Sequence, residues 1–86
     1  MRFAVYTWVP KEMIDEWKSN FHTAVIFGIG FQIMRTTQSQ ILVYREFDTV
    51  NEAEEIAERI ANEMDESVTI FRMPGYKFMR EIYPGE

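Results

Sequence analysis

Residues 2 to 9, Arg2-Phe3-Ala4-Val5-Tyr6-Thr7-Trp8-Val9, are apolar at nearly every position and rich in β-branched and aromatic types. Phe3, Val5 and Val9 fall on one alternating face and Ala4, Tyr6 and Trp8 on the other, the pattern of a strand inside a sheet. Pro10 then suits the first turn of a helix, with Glu12, Asp15 and Glu16 near the positive end of its dipole. Met13, Ile14, Trp17, Phe21, Ala24 and Val25 recur at three- and four-residue spacing, which predicts a first helix over 10–26. Gly28 and Gly30 follow, where glycine closes a helix in the left-handed conformation.

The chain then turns extended, with strand patterns over 30–36 and 40–47 separated by Thr37-Gln38-Ser39, short enough for a hairpin. Thr49 stands three residues before Glu52, a capping-box spacing that starts a second helix. Its apolar stripe is Ala53, Ile56, Ala57, Ile60, Ala61 and Met64, and Glu54, Glu55, Glu58, Arg59 and Glu63 take the wet side. Residues 67–73 form a further strand, Pro74-Gly75 a turn, and 76–83 a last strand. One α+β domain over 1–86 follows, resembling the ferredoxin-like βαββαβ sandwich with an extra C-terminal strand. Both helices are expected on the same sheet face, burying Trp17, Phe21, Ile56 and Ile60 together.

Composition narrows the options. With 86 residues there is material for one core, and a domain of this size buries a modest share of its surface, so self-association would add stability. The absence of cysteine removes disulfides, thiolate metal sites and cysteine nucleophiles. No stretch approaches the ~18 apolar residues of a membrane span and no signal-peptide pattern opens the chain, so a cytoplasmic protein is expected. A formal charge of −5 disfavours non-specific binding to nucleic acid. The glutamate-rich composition suits a heat-adapted protein.

If Val5 and Val9 face the helices, Tyr6 and Trp8 lie on the open sheet face, joined by Tyr44 and Phe71 from neighbouring strands and by Tyr76 and Phe78 from the last. So many aromatics make a patch that something should cover: a second copy of the chain, a stacked single-stranded nucleic acid, or a planar small ligand. Subunit interface is the commoner use of such a face, and the acidic balance argues the same way. Residues 76–83 offer a second route to a dimer, by pairing with the edge of a partner's sheet.

Catalytic signals are weak. His22, the only histidine, excludes any two-histidine metal site within one chain, and near the end of the first helix it reads as a surface group interacting with the dipole. Asp15 with Glu12 or Glu16, and Asp48 beside Glu46, have oxygens suited to magnesium, although such carboxylates are usually helix first turns or caps. Gly28-Ile29-Gly30 runs from helix to strand, the reverse of a phosphate loop. Ser19, Ser39 and Ser67 lack a nucleophile elbow. No metal, cofactor or catalytic residue is assigned.

Val5-Tyr6-Thr7-Trp8-Val9-Pro10 ending the first strand, Gly30-Phe31 entering the second, and Asp65 through Met73 at the fourth resemble the small CRISPR-associated ferredoxin-like subunits of the spacer-acquisition complex. That resemblance implies a homodimer and, in some members, a metal-dependent nuclease whose aspartate follows the strand-one tyrosine. Thr7 stands there in this chain and cannot supply the negative oxygen that holds magnesium. The leading expectation is therefore a non-catalytic homodimeric interaction or scaffold domain with an unknown protein partner. A nuclease-like or nucleic-acid-associated subunit is the alternative, and a dimeric α+β barrel around a small apolar ligand is the third.

Overall fold

A computed structural model describes residues 1–18 and 22–85. The strands are β1 (Arg2–Pro10), β2 (Glu16–Lys18), β3 (Thr23–Ile26), β4 (Ile29–Thr36), β5 (Gln40–Phe47), β6 (Val68–Met73) and β7 (Lys77–Ile82), with one α-helix, α1 (Val50–Met64), between β5 and β6. They form one antiparallel sheet in the order β2-β3-β4-β5-β1-β6-β7. The α+β class expected from the sequence holds, and β1 sits inside the sheet between β5 and β6.

Among the described residues of 10–26, where a first helix is expected, no α-helix occurs. Pro10 ends β1 in extended backbone (φ −66°, ψ 136°), and only a 3-10 turn, Lys11–Met13, follows before β2 and β3. Two local facts overrule the helical spacing. Val25, Ile26 and the preceding Thr23 are β-branched, and Ala24 and Ile26 bury at period two. Phe27 and Gly28 then adopt φ 53° and 75°, the paired left-handed residues of a type I′ hairpin turn joining Ile26 to Ile29. Gly28 therefore makes a hairpin and caps no helix, and Gly30 is an ordinary strand residue of β4. The Asp15 carboxylate accepts the Gly28 N–H at 3.2 Å, fixing that turn. Of the residues expected to bury with Ile56 and Ile60, Trp17 lies in β2 with its backbone paired to Ala24, and Phe21 lies outside the described residues.

The remaining elements follow the sequence closely. At the start of α1 the Glu52 N–H donates to the Thr49 hydroxyl at 3.2 Å, and that hydroxyl donates to the Glu52 carboxylate at 3.0 Å. Asp65 closes the helix in the left-handed conformation. The whole expected stripe, Ala53, Ile56, Ala57, Ile60, Ala61 and Met64, is buried. It packs chiefly on β1 and β6, against Val5, Val9, Val68 and Ile70. Ala24, Ile26 and Phe31 belong to the same buried cluster although β3 and β4 lie further from α1, so the sheet curls around the helix. Two contacts pin α1 at its flanks: the Arg59 guanidinium lies 4.1 Å from the Phe27 ring centroid, and Arg80 of β7 reaches Glu54 at 2.7 Å.

Ile60 is fully buried at the centre of the stripe and Glu58 is exposed. Ile60→Ala should lower stability by about 2 to 5 kcal/mol, while Glu58→Ala stays within about 0.5 kcal/mol of the native protein. Coinciding urea midpoints for the two variants would contradict this packing.

Candidate aromatic interaction face

Alternation along β1 sends Val5, Thr7 and Val9 toward α1 and leaves Ala4, Tyr6 and Trp8 on the sheet face that α1 does not cover. Cross-strand register then decides which aromatics meet. Tyr6 stands opposite Tyr44 of β5, and Ala4 opposite Phe71 of β6. The Tyr6 ring makes edge contacts with Tyr44 (centroids 6.2 Å apart, 80° between planes) and with Phe71 (5.8 Å, 83°). Tyr76, in the β6–β7 turn, folds back over the sheet and completes the circuit, 5.8 Å from Phe71 and 6.2 Å from Tyr44. Such edge geometry sets the positive ring rim against the negative ring face.

This circuit needs Ala4. It stands between Glu46 and Phe71 in the register, within the four rings, and is 0% exposed although it belongs to the uncovered face. A larger side chain there would lift Tyr76 from its neighbours. Tyr76 itself has φ 51°, costly for a bulky residue, and the ring contacts offset that strain.

Of the residues singled out from the sequence, Tyr6, Tyr44, Phe71 and Tyr76 thus form one cluster. Phe78 stands opposite Phe71 on the edge strand and is 66% exposed. Trp8 shares the face but sits one step along, opposite Leu42, in a groove of about 340 Å³ with Tyr6, Phe71, Glu66 and Glu81. Leu42, Glu66 and Glu81 were not picked out from the sequence, and Ala4 was placed on this face without a role. The signal for Ala4, a lone small residue among aromatics, becomes readable only once the register is known.

The polar groups around the cluster are structurally engaged. The Tyr44 hydroxyl donates to the Glu46 carboxylate. Burial first, and then that bond to an anion, hold the Tyr44 phenol well above the usual tyrosine range. Arg2 bridges Glu46 and Asp48 at 3.6 and 3.4 Å, so the two carboxylates considered for magnesium already share a cation. Asp15 is spent on the Gly28 turn, and Glu12 lies in the 3-10 turn, away from any helix start. His22 is exposed in a left-handed turn, with no helix end beside it among the described residues. Ser19 lies outside the described residues. No cluster of three or more His, Asp or Glu side chains suited to a metal occurs among the described residues.

Thr7, at the position where the resembled family carries aspartate, is buried on the α1 side, 4% exposed, and its hydroxyl donates to the Ser67 carbonyl at 2.9 Å. Among the described residues no helix is long and apolar enough to cross a membrane. Comparison of the chain with protein-family models, curated proteins and solved structures returns no match.

The Tyr44 proton gives a pH test. Its folded-state affinity is raised, so its contribution to stability is complete below pH about 10 and is lost as pH rises toward the elevated value. Ultraviolet titration should show one of the four tyrosines ionising only as the protein unfolds in alkali, and Tyr44→Phe should flatten the alkaline fall in stability. Simultaneous ionisation of all four would refute the site's geometry.

Proposed function

We propose that this chain is a non-catalytic, homodimeric interaction or scaffold domain, working in the cytoplasm, whose open sheet face is its contact surface. The observation that carries the reading is the aromatic cluster itself: a continuous apolar patch that ends in Tyr76 and Phe78, 50% and 66% exposed. Tyrosine and other aromatics are the residues enriched at protein contacts. The edge route is less favoured. β7 pairs with β6 in its own chain, and its outer edge carries a bulge around Met79 together with Lys77 and Arg80, devices that blunt an edge. We further read β4-β5-β1-β6 with α1 as a ferredoxin-like core whose first helix is replaced by the β2–β3 hairpin.

Sedimentation equilibrium at micromolar concentration should give twice the chain mass, and Trp8→Glu should shift the protein toward monomer without loss of helix signal. A monomer at all concentrations would defeat the proposal.

A nuclease-like role, as the family resemblance would suggest, needs a carboxylate where Thr7 stands. Purified protein is accordingly expected to show no magnesium- or manganese-dependent cleavage of RNA or DNA. Reproducible cleavage abolished by Asp48→Ala would reverse this.

A further inference from the structure

The groove beside Trp8 has an uncompensated charge. Tyr6, Trp8 and Phe71 wall it; Glu81 stands on β7, and Glu66, in the loop before β6, reaches across to Gln40 of β5. The Gln40 amide donates to Glu66 at 3.2 Å and the Tyr83 hydroxyl donates to Glu81 at 2.8 Å, both neutral donors. Neither carboxylate takes part in an ion pair among the described residues. Aromatic walls beside carboxylates that hold only neutral donors favour a guanidinium, which stacks on a ring and bonds a carboxylate through its planar fork.

A guanidinium is present on the same face. The bulge in β4 carries the register past Met34 and sets Arg35 opposite Leu42, which stands opposite Trp8. Arg35 is exposed and, among the described residues, has no ion-pair or hydrogen-bond partner. It lies on β4, two places from β1, while Glu81 lies on β7, two places from β1 on the other side. Each is therefore about 10 Å from β1 across the sheet.

We infer that the groove receives Arg35 of a second copy, in a two-fold dimer whose axis runs along β1 over Tyr6 and Trp8. This rests on the homodimer reading above and adds its geometry. Rotation about that axis lays β4 of one copy over β7 of the other, so each Arg35 faces Glu81 of the opposite groove and two equivalent pairs form. The same rotation sets the protruding Phe78 over a hollow of about 360 Å³ around Gly30, lined also by Arg2, Gln32, Tyr44, Arg45 and Glu46. Arg35 meets Glu81 and Phe78 meets the hollow under one symmetry operation, with aromatics at the centre and ion pairs at the rim.

Charge reversal tests it in the full chain. Arg35→Glu and Glu81→Arg should each weaken the dimer by about tenfold or more, since each creates two like-charge contacts, and the double variant should restore it. The chain has no native cysteine, so an independent measurement mixes Arg35→Cys with Glu81→Cys protein, and oxidation should link the two different chains in preference to like chains. Singles that leave the dimer intact, a double variant that stays dissociated, or cross-linking without preference for the mixed pair would overturn the inference while leaving dimerisation standing. A monomeric wild-type protein would instead remove the reading beneath it.

Discussion

One helix of 15 residues must close one entire face of a seven-stranded sheet. A helix with its side chains is about 10 Å across, while seven strands span roughly 29 Å. Flat, the sheet would leave β3 and β4 bare. The chain meets the constraint by curling the sheet, which brings Ala24, Ile26 and Phe31 into the cluster seated on α1. Arg59 over Phe27 and Arg80 to Glu54 hold the two flanks of the curl to the helix. Their value is positional, since a cation–π contact or an ion pair near the surface contributes about 0 to 1 kcal/mol.

A sheet wrapped around a helix on one side has a second side to protect, and the described residues supply no other layer for it. Ala4 gives that side its shallow centre, and Tyr76 returns from the far hairpin to roof it. The cluster is thus partly self-covered, with the wet rings at its β6–β7 margin. Tyr44 links this apolar surface to the Arg2–Glu46–Asp48 network, so the patch has a rigid polar border on the β5 side.

Most of the fold was legible because its signals were local and mutually consistent. The Thr49 cap, the α1 stripe and the two faces of β1 each rest on residues a few positions apart. The missing first helix was not, because Met13, Ile14, Trp17, Ala24 and Val25 satisfy helical spacing while belonging to different strands and turns. The contrary signal was Phe27-Gly28 preceded by β-branched residues, a hairpin pattern that resembles a helix stop. At the candidate face, Tyr6, Tyr44 and Phe71 followed from alternation. The positions of Arg35 and Phe78 depend on two bulges, and bulges shift register without a composition of their own.

The pairing of β1 has a consequence for the order of events during synthesis. This strand is made first, yet its hydrogen-bonded neighbours are residues 40–47 and 69–73. The β3–β4–β5 meander can assemble from short-range contacts as soon as it leaves the ribosome. β1 must wait, apolar on both faces, with both edges open until β5 has emerged and one edge open until β6 has. Non-local closure of this kind slows folding and lengthens exposure to aggregation. The segment that organises the finished sheet is therefore the one most in need of a chaperone's protection while the sheet is incomplete.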